Sequence, residues 1–279
     1  LGHHPMLQFS GGEPTLRNDL PELVHMAKEA GIPYVQVNTN GIRIANDIEF
    51  LRKLKDAGLD LIYLQFDGVN SSAKVVLNGV EVMTHDGGYS TFRKDVTDVL
   101  KTVNELTVYV DNSVNDKVYP QKADFTFYGG IYRDVKLIIV NKYHFDLDFY
   151  GGRGLAGCPE IAGEDAAIWV RTWHNAECGR VNITLFDADG REVGTGDDND
   201  ETIVIDKVHL WHGVEDPYLY TCEAVLTVDG VACDKITTAF GVRYFRLDPK
   251  EGFFLNGRSY PLRGVSRHQD RKGLGNALT

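Results

Sequence analysis

No cysteine occurs before Cys158, and the four that follow, Cys158, Cys178, Cys222 and Cys233, form no CxxC pair. Paired zinc-ligand spacing is therefore missing. The four thiols fall in one β-rich stretch and read as mostly buried, free cysteines rather than disulfides. Long apolar runs are also lacking, so nothing reaches the ~20 residues that span a bilayer. No charged-then-apolar leader opens the chain, and a cytoplasmic location is expected. Positive charge is scarce: 29 Lys and Arg stand against 40 Asp and Glu, a net charge of −11. That balance argues against a nucleic-acid partner and against an anionic membrane surface. Internal repeats and low-complexity segments are absent. The chain opens on Leu1 and closes on LGNALT, and both ends read as cut.

The 279 residues are 43% hydrophobic and 25% charged, as in an ordinary globular protein, and suffice for about two domains. The pattern changes style near Asp67–Asn70. Before it, short apolar strands alternate with helical periodicity. MLQFS is followed by Leu20, Leu23, Val24 and Ala27 at helical spacing, with Asp19 and Glu22 as a start and Gly31 and Pro33 as a stop. PYVQVNTNG is a second strand, Asp47–Ala57 a second helix bearing Phe50, Leu51, Leu54 and Ala57, and DLIYLQF a third strand. Such alternation predicts parallel βαβ units.

After Asn70, strand-sized segments follow one another. Asn78-Gly79, Asp189-Gly190 and Asp229-Gly230 mark hairpin turns. Alternation in ELTVYV predicts a face buried through Leu106, Val108 and Val110, and VNITLF one buried through Val181, Ile183 and Leu185. Regular short strands with such turns predict β-sandwich modules. The fold class expected is mainly β, a truncated jelly roll plus an immunoglobulin-like sandwich, preceded by a short α/β (βαβαβ) partial-barrel segment. The acidic loop GTGDDNDE offers calcium ligands, but a solvated hairpin loop is the favoured reading. Trp169, Trp173 and Trp211 are read as sandwich packing rather than a sugar-stacking platform, and Arg133 with Asp134 as a strand-edge ion pair.

QFSGGEPT ends a strand on two glycines, where the backbone can approach a ligand closely. FSGGEPTLRNDLPEL, followed by NTNG at Asn38–Gly41, resembles the radical S-adenosylmethionine superfamily over residues 1–67. The resemblance implies that Gly11, Gly12, Glu13 and Pro14 hold the amino-acid end of S-adenosylmethionine. It also implies an iron–sulfur cluster on a CxxxCxxC loop. Thiolates are the cluster's ligands, and none is present in this segment, so the cradle is read as vestigial and no cofactor is expected here.

From Gly68 on, GVNSSAKVVLNG, HDGGYSTFRKDVTD, VDNSVND, ADFTFYGGIYRDVKL, LWHGVEDPYLY, FGVRYF and GFFLNGRSYPLRGVSRHQD resemble glycoside hydrolase family 2, closest to its β-galactosidases. The resemblance implies a truncated jelly-roll sugar-binding domain over 68–141, an immunoglobulin-like sandwich over 142–246, and the start of a (β/α)8 barrel over 247–279, with SYPLRGVS as its first strand. It implies hydrolysis of terminal β-D-galactosides by an intact, homo-oligomeric parent, with Mg or Na ions in its site. The family's two catalytic glutamates belong to later barrel strands, so no catalytic residue is expected in this chain. Asp111, Asn112, Asp124 and His268 match positions that contact the sugar; a turn-forming role for Asp111 and Asn112 stands beside that reading. LQFDGV fits the first style and FDGVNSSA the second, which marks the chain as a chimera. Two other readings remain beside this one: a fragment of a radical S-adenosylmethionine enzyme, and a carbohydrate-binding or interaction module.

Overall fold

A computed structural model describes residues 6–10, 13–32, 34–59, 61–119, 121, 126–148, 151–266 and 270–278. The chain divides into two compact units, residues 1–142 with 147–152 and 267–279, and residues 143–146 with 153–266.

The first unit contains β1 (Met6–Phe9), α1 (Leu20–Glu29), β2 (Tyr34–Thr39), α2 (Ile42–Asn46), α3 (Ile48–Asp56) and β3 (Leu61–Phe66). These are followed by β4 (Val69–Asn70), β5 (Ser72–Leu77), β6 (Val80–Asp86), β7 (Phe92–Asp95), β8 (Leu106–Asp111), β9 (Gly130–Ile131) and β10 (Val135–Val140). The expected strands and the two expected helices form. Asp19 precedes α1, but its carboxylate is taken by Arg17 at 2.6 Å and makes no cap bond. Asp47 does cap α3, accepting from the Phe50 amide at 3.0 Å. The extra helix α2 starts behind Gly41, whose φ of +75° suits glycine.

The principal sheet runs β1-β2-β10-β3-β7. β1 and β2 pair in parallel, as expected. β3 does not join β2. β10 lies between them, antiparallel to both, with Leu137–Ile139 against Thr39–Val37 and Val135–Val140 against Phe66–Leu61. β1, β2 and β3 therefore run in one direction, as expected of βαβ units, and only the adjacency of β2 and β3 is interrupted. The run VKLIIV bonds on both edges, and its last three residues, Ile138–Val140, are buried. A second sheet, β6-β5-β8, and the short pair β4-β9 complete the unit. Asn78 and Gly79 both take positive φ at the β5–β6 turn, the geometry of a tight two-residue hairpin.

One core gathers residues from both sequence styles: Leu20, Val24, Phe50 and Leu54 of the helices, Val37 and Phe66 of the first strands, and Val75, Leu77 and Ile139 of the later ones. Val108 and Val110 pack against it as partly buried side chains, whereas Leu106 is 42% exposed at the strand's start, against expectation.

The second unit contains β11 (Leu155–Ala162), β12 (Asp165–Thr172), β13 (Arg180–Phe186), β14 (Glu192–Gly196), β15 (Asp200–Ile205), β16 (Tyr220–Val228), β17 (Val231–Phe240), β18 (Phe245–Asp248), β19 (Gly252–Leu255) and β20 (Arg258–Ser259). Sheets β11-β12-β15 and β14-β13-β16-β17 supply the inward rows Ala166, Ile168, Val170 and Val181, Ile183, Leu185 to one core. This is a two-sheet sandwich with alternating faces. The GTGDDNDE loop joins β14 in one sheet to β15 in the other, and no group of acidic or thiol ligands suited to a metal occurs among the described residues.

Three expectations are corrected in this unit. Cys158 and Cys178 are exposed, and only Cys222 is fully buried, although all four thiols are free. Cys158 sits opposite Trp169, which is itself exposed, on the outward face of an edge strand. The tryptophans avoid the core: Trp169 donates to Asp200 at 2.6 Å, while Trp173 and Trp211 lie under the guanidinium groups of Arg171 and Arg243. SYPLRGVS forms no barrel strand; after β20 the segment 260–266 is irregular. A parallel barrel strand needs bonded neighbours on both sides, and the hairpins β18-β19-β20 offer none in that direction.

Ile183 is fully buried, and Ile183→Ala is expected to destabilise this unit by about 2–5 kcal/mol, read as a lower urea midpoint in tryptophan fluorescence. Burial pushes the Cys222 thiol up to about 12. Cys158 and Cys178 should therefore react with a thiol reagent in the native chain, and Cys222 only on unfolding.

Candidate functional site

Of the GGEP motif, the described part lies against the end of β2. Gly11 and Gly12 lie outside the described residues. Glu13 and Pro14 are described: Pro14 begins a short 3-10 turn, Pro14–Leu16, with Glu13 as its cap. One Glu13 oxygen, Oε1, accepts from the Thr15 amide at 2.9 Å and from the Thr15 and Thr39 hydroxyls at 2.5 Å each. The other, Oε2, accepts from the Asn40 amide at 2.7 Å. Thr15 and Thr39 are fully enclosed. Glu13 thus ties the first turn to the end of β2, and Arg43 braces the same turn by donating to the Thr15 carbonyl at 2.6 Å.

Partial burial pushes the Glu13 carboxyl up, but the bonds from Thr15, Thr39 and Asn40 together outweigh it, and the net shift is downward. The carboxylate already accepts at both oxygens, so it is a structural clasp rather than a free base.

Beside this clasp lies a cavity of about 530 Å³ lined by Ser10, Asn38, Thr39, Asn40, Asp134, Val135 and Lys136. Four of these residues lie in β2 or just after β1 and β2, and three lie at the start of β10 or just before it. Lys136 binds Asp67 at 2.6 Å and Asp134 at 3.3 Å, and the bond to Asp67 raises its pKa. Asp134 therefore pairs with Lys136. The expected Arg133–Asp134 pair does not form: Arg133 donates to the Tyr132 and Asn276 carbonyls instead. Lys136 and Asp67 were not legible as site residues, because about a hundred positions separate Lys136 from the motif it now faces. The donors of this segment are oxygen and nitrogen, with no thiolate, and do not fit an iron–sulfur cluster.

The second set of candidates follows β8. Asp111 ends that strand; its backbone carbonyl accepts from the Ser71 amide at 3.3 Å and the Ser71 hydroxyl at 3.0 Å. Its carboxylate accepts from the Ser113 amide at 2.8 Å, the main cause of its lowered pKa. Asn112 donates from Nδ2 to the Phe127 carbonyl at 3.0 Å. Gly129 passes so close that an added Cβ would lie 2.6 Å from the Asn112 amide carbon. Asn112 therefore holds the returning segment 127–129, and Asp111 shapes the turn with its carboxylate solvent-exposed. Asp124 and His268 lie outside the described residues.

Because the folded pKa of Glu13 is depressed, the stability it contributes is present at neutral pH and lost as pH falls through that lowered value. Glu13→Gln is expected to lower the urea midpoint of the first unit at pH 7. It should also reduce the further loss seen between about pH 5 and 3, measured by far-UV circular dichroism against the parent chain.

Residues 2–115 match the Radical SAM superfamily, and residues 160–243 match Glycosyl hydrolases family 2. A 7,8-dihydro-6-hydroxymethylpterin dimethyltransferase of Methanocaldococcus jannaschii is 51% identical over 79 residues, 28% of this chain and 15% of the relative. A β-glucuronidase of Bacteroides fragilis is 36% identical over 234 residues, 78% of this chain and 34% of the relative. The crystal structure of an FMN-binding β-glucuronidase from Facaelibacterium prausnitzii L2-6 superimposes with a TM-score of 0.72 at 39% identity, over 78% of this chain and 35% of that one. The chain spans about a third of the length of these hydrolase relatives. The chain is thus similar to two different families in two different stretches, to the Radical SAM superfamily over residues 2–115 and to glycosyl hydrolases family 2 over residues 160–243.

Proposed function

We propose that the part following Gly68 is the front, non-catalytic portion of a retaining β-glycosidase whose intact parent hydrolyses terminal β-D-glycosides, galactosides or glucuronides. The observation that supports this is the 39% identity at a TM-score of 0.72 to a β-glucuronidase over 78% of the chain. A β-galactosidase of Bacteroides ovatus is 32% identical over 244 residues, so galactoside and glucuronide stand together as the substrate class.

Retaining hydrolysis needs a carboxylic acid and a carboxylate held ~5–5.5 Å apart across the scissile bond. Asp111 is exposed and bound to its own turn, so it offers neither role. Its role in the parent would be to accept hydrogen bonds from sugar hydroxyls, with Asn112 keeping the neighbouring segment in place and Asp124 and His268 adding contacts. A sugar is accordingly the partner of this part, and the parent a homo-oligomer. A cytoplasmic location belongs to the same proposal.

The full chain is expected to release no chromophore from nitrophenyl β-D-galactoside or nitrophenyl β-D-glucuronide above the buffer rate. Turnover that persists in an Asp111→Asn, Asp124→Asn double variant would overturn the non-catalytic assignment, because it would require a carboxylate pair elsewhere in the chain.

A further inference from the structure

We infer that the N-terminal segment acts in this chain as an internal strand donor, completing the sheet in which β10 lies. This role is different from the ligand cradle its motif implies, and it does not depend on the glycosidase reading.

β10 is the central strand of its sheet. Its residues 137–139 bond to β2 on one edge, and residues 135–140 bond to β3 on the other. Both partners precede Gly68. A six-residue strand left open on two edges would expose two rows of backbone donors and acceptors, the usual template for misassembly.

The faces of β10 are covered from the same source. Ile139 is fully buried and joins the core of Val37 and Ile62. On the opposite face, Ile138 and Val140 cluster with Tyr63. Leu137 lies against Gly41 so closely that a Cβ there would sit 2.7 Å from its Cδ1. Polar ties close the two ends: Lys136 to Asp67 at 2.6 Å, and Lys28 to the Asn141 side chain at 2.8 Å. β3 also supplies the partner of β7 through Tyr63–Phe66. The slot between β2 and β3 therefore fits one occupant in length, register, apolarity and charge: the strand VKLIIV of this same chain.

Paired cysteines test the register in the full chain. Asn38 and Ile138 are direct partners across the β2–β10 ladder. Mild oxidation of an Asn38→Cys, Ile138→Cys variant is expected to link the two peptides, found by mass spectrometry after digestion. An Asn38→Cys, Lys136→Cys variant, two residues out of register, should link at least about tenfold less. Equal linking in both variants, or none in the first, overturns the proposal.

Dependence is tested by Ile139→Asp, which places an uncompensated charge at an enclosed position. Hydrogen exchange at the β2 amides should accelerate about 100-fold, while the β16 amides keep their parental protection. Unchanged exchange in β2 overturns the donor role. If β16 also loses protection, the cysteine pair, which carries no buried charge, decides.

Discussion

The ladder around β10 is the interaction on which the first unit depends. A strand buried on both faces cannot leave its backbone groups to water, so each edge must find a partner. β2 supplies one edge and β3 the other. Once that is satisfied, the placement of the helices follows. Leu20, Val24, Phe50 and Leu54 cover the face that also carries Val37, Phe66 and Ile139, and the core becomes continuous across residues of both sequence styles. A core assembled this way has no internal seam at Gly68. The change of pattern near residues 67–70 is therefore a change of sequence style, not of packing.

The same first strands fix the turn at Glu13 and Pro14. The bonds that form it are made by Glu13, Thr15, Thr39 and Asn40, all within β1, β2 and the turns that follow them. They need only the parallel β1–β2 pair. A ligand site needs more, because its remaining walls come from strands further along the sheet. Here the next wall is the start of β10, with Asp134 and Lys136 bonded to each other. Local hydrogen bonds thus fix the turn at Glu13, while the cavity beside it takes its other wall from residues 134–136, far along the chain.

The local elements were legible in the sequence and the long-range pairing was not. Helices α1 and α3, the Asn78-Gly79 and Asp229-Gly230 turns with their positive φ, and the alternating row Val181, Ile183, Leu185 follow from spacing and turn chemistry. The antiparallel entry of β10 does not, because the segment carries no sign of which edge it will join. Apolar runs such as LIYLQF and VKLIIV read the same in a parallel or an antiparallel neighbour. The tryptophans depart from expectation for a related reason: residue type predicts burial, but Trp169 stays exposed beside Asp200 and Trp211 only half-buried under Arg243. Of the candidate site residues, Glu13, Asp111 and Asn112 each bond to backbone groups of nearby loops, a role that a ligand-based reading of their motifs does not reveal.

The same distinction bears on the glycosidase part. Short-range bonds fix the loop geometry there: Ser113 to Asp111, and Asn112 to Phe127. Acid–nucleophile chemistry is different, because it requires two carboxyl groups held at a set separation by a rigid scaffold and with divergent environments. A single exposed aspartate whose pKa is lowered by its own turn is the opposite of a tuned acid. On the proposed reading, then, this part can contribute recognition of a sugar's hydroxyls and the placement of a loop. Bond cleavage would have to be supplied by residues held on a scaffold of the kind that the hydrolase relatives, about three times as long, have room to build.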